Sequence, residues 1–439
     1  METNLQTGRM IQPESKGYTV YLVIVALFGW ALASYDFNLL VLTMPDIAAD
    51  LNLSSSLVGL LGFIVYAAEF IVTLFAGYGM DRKGRRWMWQ FSLLGAAIFT
   101  GLTFFVANYA ELAIVRALAS GFAMSELAIS ITLVNEQLPA KRRGLLYSVV
   151  QGGWPLGVFF ASGIYLLFSD FGWRTVFIFG LIPIVFVIIA RIWVKESDRF
   201  LHMKKVKKAV ADGDDEEVKR LMDIYPVDLN EANRITWRQL FAAKGYVRKQ
   251  VSLLTIVWLA YSTSYVATNV YITYWLVHYF GWTSQQAASM LLIAGGIGYF
   301  FYVLGGLLGE KFGRRDVLVI TGILTAPLNF LFLFLDGHTL VFIVYFIIYQ
   351  VTNGTWSGAG YAYWGESFPT RVRGTAIGFL GAVFNGGLLI GSLVWTILIG
   401  IVSPTTTWIV VAVVFSLGQW LALLLPKIKP GTELEDISI

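Results

Sequence analysis

Runs of about twenty residues that are rich in apolar side chains and poor in charge recur along this chain. They lie at about 19–44, 54–80, 86–107, 109–135, 144–168, 174–194, 250–279, 284–309, 316–335, 339–364, 373–401 and 406–426. A helix rises ~1.5 Å per residue, so each run is long enough to cross a hydrocarbon core ~30 Å thick. The pattern predicts an all-α membrane protein with twelve transmembrane helices. Residues 1–18 are polar and the first run is already of spanning length, so the expectation is a retained leader, not a cleaved signal. One long polar stretch, 195–249, separates six runs from six and reads as short amphipathic helices. The expected organisation is a leader (1–18), a six-helix bundle (19–194), a surface linker (195–249), a second six-helix bundle (250–426) and a tail (427–439).

The two sets of runs are copies of one plan. Gly77-Tyr78-Gly79-Met80-Asp81-Arg82-Lys83-Gly84-Arg85-Arg86 returns as Gly306-Leu307-Leu308-Gly309-Glu310-Lys311-Phe312-Gly313-Arg314-Arg315, 229 residues later. Glu136 to Pro139 with Arg143-Gly144 returns as Glu366 to Pro369 with Arg373-Gly374, 230 residues later. Two motifs at nearly one offset mean an internal duplication. With six spans in each half the repeats run parallel, related by an axis along the membrane normal.

Composition changes the picture little and charge placement changes it more. Hydrophobic residues make up 57% and charged residues 14%, and mean hydropathy is +0.67. The net charge of +4 does not point to nucleic acid, because the cations sit in short turns after spans two, four, eight and ten. Those turns hold Arg82, Lys83, Arg85, Arg86, Lys141, Arg142, Arg143, Lys311, Arg314, Arg315, Arg371 and Arg373, and the turns on the other side hold essentially Arg174. By the positive-inside rule the basic turns and both termini are cytoplasmic. No cysteine is present, which excludes disulfide and thiolate chemistry. No metal, hydrolase or nucleotide-binding constellation is seen, so the expectation is neither an enzyme nor an ATP-driven pump, and no cofactor beyond a proton gradient.

Ionisable residues inside spans are costly and read as functional. The first half holds Asp36 in span one, Glu69 in span two, and Arg116 and Glu126 in span four. Arg116 reads as the only cation deep in any span. With span one ending at residue 44, Asp36 and Arg116 both fall roughly 10–12 Å from the outer end, and Glu69 with Glu126 roughly 22–26 Å. The expectation is an Asp36/Arg116 pair with a Glu69/Glu126 pair beneath it. Asp36, Glu126 and Glu69 are the candidate proton carriers, and Arg116 either balances them or anchors an anionic substrate.

The second half carries amides and rings in place of charges. Asn269 and Tyr265 in span seven, Gln350, Asn353 and Trp356 in span ten and Asn385 in span eleven are the candidate substrate contacts, since an amide in hydrocarbon needs a partner. At the basic turns, Gly77, Asp81, Arg82, Gly84, Arg85, Arg86, Glu136, Arg143, Glu310, Gly313, Arg314, Glu366 and Arg373 are candidate gating residues. Glu136 with Arg143 and Glu366 with Arg373 are the expected local pairs. Gly152-Gly153-Trp154-Pro155 opens span five with a kink-prone segment.

The repeated Gly77–Arg86 and Gly306–Arg315 motifs resemble the loop signature of the major facilitator superfamily, along the whole chain. Arg116, Gly121, Glu126, Glu136, Pro139 and Arg143-Gly144 resemble its sugar-porter-like branch, as does Lys195-Glu196-Ser197-Asp198-Arg199-Phe200. Asp36-Phe37, Arg116 with Glu126, and Trp173-Arg174 followed by Phe179-Gly180-Leu181-Ile182-Pro183 are most similar to sialate and related organic-acid:proton symporters. Glu69 departs from that group, which often carries an Arg in span two. The resemblance implies the major facilitator fold and alternating access about a midplane site lined by spans one, four, seven and ten.

The function expected is proton-coupled import of a small polar metabolite, an organic acid such as sialate or a monocarboxylate. The alternatives are a sugar or polyol symporter and a proton-antiporting exporter of drugs or cations. A non-transporting sensor is a third class. The expected partners are the substrate, protons and the lipid of an inner (plasma) membrane, with no nucleic acid, and the chain is expected to act as a monomer.

Overall fold

The computed structural model describes residues 15–138, 143–179, 181, 185, 189, 191–224, 246–368 and 370–428. Most of the expected leader and tail, and linker residues 225–245, lie outside that set. Ten stretches among the described residues are long and apolar enough to cross a membrane. One of them, Ser284–Phe332, contains two helices that meet at a turn over Gly309–Gly313. Span six is framed by a helix at Trp173–Phe179 and a turn at Arg191–Trp193.

Span one is the longest helix among the described residues, Lys16–Asp50, and begins where the Ser15 side chain accepts the Tyr18 N–H at 3.2 Å. It continues through Pro45, although the sequence reading ends the span at 44. A proline removes one helical hydrogen bond, and in a bundle the neighbours hold the helix regardless. The extension matters for depth: Asp36 lies fourteen residues from the end of its helix, about 21 Å along the axis.

The two repeated glycines before Arg-Arg form the corners between spans. Gly84 (φ 105°) joins span two, Ser55–Lys83, to span three, Arg85–Leu102, and Gly313 (φ 97°) does the same between spans eight and nine. Side chains rarely adopt such φ values, so glycine is required. Span four is Tyr109–Gln137 and span five is broken at Gly152 into Arg143–Gln151 and Gly153–Phe168.

Packing repeats with a shift of six spans. One lies on five as seven lies on eleven, and two lies on four as eight lies on ten. Across the halves, two meets eleven and five meets eight. Small residues make the closest approaches. A Cβ on Gly157 would stand 2.2 Å from the Ala31 carbonyl oxygen, and Ser34 donates to the Trp154 carbonyl at 2.5 Å. Large apolar side chains such as Phe75, Phe105 and Leu167 face outward, as lipid contact requires.

The end opposite the basic turns is closed. Tyr271 in span seven donates to the Gly59 carbonyl of span two at 3.1 Å, and the Ser55 and Tyr274 hydroxyls meet at 2.8 Å. Asp46 accepts from Tyr165 at 2.5 Å and from Ser284 at 3.1 Å, tying span one to spans five and eight.

Candidate functional site

The deepest charges form two ion pairs inside the first bundle. Arg116 gives one guanidinium branch to each oxygen of Asp36, at 3.1 and 2.9 Å, and also reaches the Asp36 carbonyl at 3.2 Å. Thr100 of span three donates to the same carboxylate. Both charged side chains are at most 1% exposed. Such a pair gains in low dielectric from every further bond to its charged groups; Thr100 supplies one to Asp36, while the Arg116 Nε is buried without a partner.

The second pair corrects the sequence reading. Glu126 does not meet Glu69: its Oε1 accepts from Arg191 at 2.5 Å and from the Trp89 indole at 2.6 Å. Arg191 is fully buried, also donates to the Trp89 carbonyl at 3.1 Å, and stacks over the Trp89 ring. Arg116 is thus not the one deep cation: Arg191, near the end of its span, folds inward onto Glu126, the Trp89 carbonyl and an indole face, with its Nε left without a partner.

Glu69 instead neighbours Asp36 and Arg116. Span one ends six residues later than expected, which brings Asp36 level with Glu69, each fourteen residues from its helix end. Both Glu69 oxygens are buried with no hydrogen-bond partner, and Ser120 comes near without reaching bonding geometry. Among the described residues of the first bundle, three buried carboxyls therefore face two buried guanidiniums. That leaves one negative charge unmatched, a deficit that a single proton fills.

Between the halves lies a small cavity with room for about one water in this conformation. The first half contributes Trp30, Gln151 and Trp154. The second half contributes Tyr261, Tyr265, Tyr302, Asn353, Ser357, Tyr361 and Phe384. Rings dominate and no formally charged side chain is among them. Asn353 is the hub: its oxygen accepts from Tyr302 at 2.9 Å and Tyr261 at 3.3 Å, and its amide donates to Asn269 at 3.3 Å. Trp154 donates to the Tyr265 hydroxyl at 3.0 Å. The Trp30 indole N–H and the Gln151 amide oxygen are buried without partners. Asn269 lies in a π-helical turn at Val266–Val270, and Gln350 and Asn353 lie in another at Tyr349–Thr355. Wide turns of this kind free backbone groups and collect at functional sites.

The sequence profile of the Major Facilitator Superfamily matches residues 26–305 and 253–437. The chain belongs to that superfamily. Among curated relatives it is 26% identical over 427 residues to the "Probable 4-methylmuconolactone transporter" of Cupriavidus pinatubonensis, covering 93% of this chain and 90% of the relative. It is 25% identical over 359 residues to the cis,cis-muconate transport protein of Acinetobacter baylyi, covering 81% of this chain and 80% of that one. A solved structure of the proton:xylose symporter XylE, bound to 6-bromo-6-deoxy-D-glucose, superposes with a TM-score of 0.70 at 20% identity, over 97% of this chain and 99% of that one. The fold is thus the twelve-helix facilitator bundle, and the chain is a transporter, not an enzyme.

In this facilitator the other candidate residues fall in three places. Trp356 stacks on Tyr261 behind the cavity wall. Gln350 donates to the Ala294 carbonyl of span eight at 2.9 Å, and Asn385 donates to Thr73 of span two at 3.1 Å, so both amides bond across helices. At the basic end, the Glu196 carboxylate accepts the backbone N–H groups of Arg85 and Arg86, each at 3.1 Å. An acid there complements the positive end of span three. Arg86 reaches the Ile192 carbonyl at 2.8 Å, and the Arg85 guanidinium lies over Phe200.

Glu366 pairs with Arg314, joining the two repeated motifs, where the sequence reading proposed Arg373. Glu310 is exposed, with no ion-pair partner among the described residues. The surroundings of Gly77 and the side chains of Asp81, Arg82, Glu136, Arg143 and Arg373 lie outside the described set. Sequence reasoning missed Arg191, Trp89 and Thr100, and of the cavity wall Trp30, Gln151, Tyr302, Ser357 and Phe384. The rule that selected Asn269 and Asn353, an amide inside a span, would have selected Gln151 had it been applied to span five.

Proposed function

We propose that this transporter couples proton entry to the import of a small organic acid with a flat, unsaturated body. One observation carries the reading. Asp36 and Phe37 are adjacent on span one: Asp36 turns into the bundle onto Arg116, and Phe37 packs on Trp154, a wall of the cavity, with ring centres 5.3 Å apart. A shift of Trp154 on substrate binding therefore moves the helix segment that holds the buried carboxyl, and loosening Asp36 from Arg116 favours its protonation.

The cavity supports the substrate class. Seven of its ten lining residues are aromatic, which suits a planar solute. The unpartnered Trp30 N–H and Gln151 amide oxygen, turned toward a bound solute, would match a carboxylic acid group carrying its proton, or an amide-like pair. The relatives named for 4-methylmuconolactone and cis,cis-muconate point the same way. Arg116, tied to Asp36 away from the wall, acts in coupling. A sugar or polyol is the second reading, since the wall is uncharged. The basic end faces the cytoplasm of an inner membrane by the positive-inside rule.

The test is uptake into proteoliposomes under an imposed inward proton gradient, comparing cis,cis-muconate, nicotinate, sialate and xylose. An acid should accumulate uphill, and Asp36→Asn should abolish that accumulation. Accumulation of xylose alone would replace the acid by a sugar. Uphill uptake retained by Asp36→Asn would remove Asp36 from coupling.

A further inference from the structure

A narrow crevice runs inside the first bundle, between spans one, three and four. Asp36 stands at one end of it and Glu126 at the other, with Leu32, Ala33, Ala96 and Ala123 along its sides. Gly29, Leu32, Ala33 and Asp36 share one face of span one, at spacings of three and four. Gly29 and Asp36 are about 10 Å apart along the axis. A Cβ on Gly29 would lie 2.0 Å from Arg191 Nη2 and 2.6 Å from Glu126 Oε1. The Glu126–Arg191 pair thus rests on the bare backbone of the helix that carries Asp36. Glu126 engages its partners through Oε1 alone, and its Oε2 is buried without one.

We propose that Glu126, held by Arg191 and Trp89, is a second proton station that receives the proton from Asp36 along this crevice and passes it toward the basic end. This rests on the reading of Asp36 as the coupling carboxyl. The step balances without any other reactant. The proton leaves the Asp36 carboxyl, crosses on water and binds Glu126. Asp36 then recovers its full pairing with Arg116, and Glu126 loosens from Arg191.

The groups that face Glu126 are Arg191 from span six, Trp89 from span three, Tyr147 from span five and, across the crevice, Asp36. Those that face Asp36 are Arg116, Thr100, Glu69 and Tyr35. In this conformation the crevice has room for about one water, too few to bridge about 10 Å. The route is therefore broken here and completes only when span one shifts. Because Gly29 and Asp36 ride on one rigid helix, the shift that frees Asp36 from Arg116 also moves the floor beneath Glu126, which ties proton passage to the transport cycle.

The experiment is infrared titration of the full chain in lipid bilayers, following the carboxylic-acid C=O bands, with no substrate needed. A Glu126→Gln protein should lack one band that appears in the wild type as pH falls. Ala123→Leu, which fills the crevice and keeps every titratable group, should retain that band but slow its appearance after a pH jump at least ten-fold. Identical band sets in wild type and Glu126→Gln would show that Glu126 carries no proton and only braces the bundle. If Glu126→Gln does not fold, an unchanged rate in Ala123→Leu would overturn the route. Gradient-driven uptake that needs Asp36 would survive either failure, so the two readings fall separately.

Discussion

Arg116 and Asp36 are each essentially inaccessible to water, and their charged groups bond to one another and to Thr100. Removing one partner leaves an uncompensated charge in low dielectric. Arg116→Gln should therefore cost on the order of 3–5 kcal/mol, read as a lower thermal unfolding midpoint in detergent micelles. The double variant Asp36→Asn/Arg116→Gln should lose distinctly less than either single change, because the two charges of the pair are removed together. An equal or additive loss would mean that packing, not charge, dominates the site. At this scale the sequence was informative about residue type and blind to partner choice. Asp36 and Arg116 announced themselves by lying in apolar runs. Glu126 did too, but its partner Arg191 sits near the end of its span, where an arginine is ordinarily a topology marker. Only the fold of Trp89 beneath it shows that this guanidinium points inward.

The repeated Gly-Arg-Arg corner belongs to the scale of elements. Gly84 has φ 105°, and a Cβ there would stand 2.3 Å from Glu196 Oε2. Glu196 in turn receives the first two N–H groups of span three. Gly84→Ala should thus cost about 1–3 kcal/mol from backbone strain and also dislodge Glu196 from the helix end. Gly365→Ala is the control, since nothing lies within 4 Å of its added methyl; the two variants compared by thermal unfolding should differ clearly, and equal midpoints would refute the strain argument. Element positions were legible because apolar runs of spanning length have few alternatives in a bilayer. Their ends were not: the sequence stops span one before Pro45, while neighbouring helices carry it to Asp50, and that extension resets the depth of Asp36. The π-helical turns that hold Asn269 and Asn353 left no signal in periodicity, because one inserted residue is too small a phase change to read.

At the scale of the whole molecule, the two halves touch at the end opposite the basic turns through spans two and eleven. A Cβ on Gly59 would lie 3.1 Å from the Thr396 Cβ, close to the ~3.5–4.5 Å of a disulfide. The chain has no native cysteine, so Gly59→Cys/Thr396→Cys gives a clean pair. Oxidising it should pin this end shut and stop uptake in proteoliposomes, and reduction should restore it. Transport that continues in the oxidised protein would show that this end does not open during the cycle. Alternating access needs the contact to break, because spans two and eleven join the two halves at this end.

Twelve spans, the duplication, the basic end and the buried acids were all determined by the sequence alone. Each depends on a local count of charge, length or spacing that the bilayer constrains strongly. The tertiary structure decided everything that depends on which helix faces which: that Glu126 answers to Arg191 and not to Glu69, that Glu366 meets Arg314, and that Gln151 and Trp30 join Asn353 around one cavity. Those pairings follow from helix rotation and tilt. Both are set by close packing of small residues such as Gly153 and Gly157 against neighbouring backbones, and a linear sequence carries no measure of either.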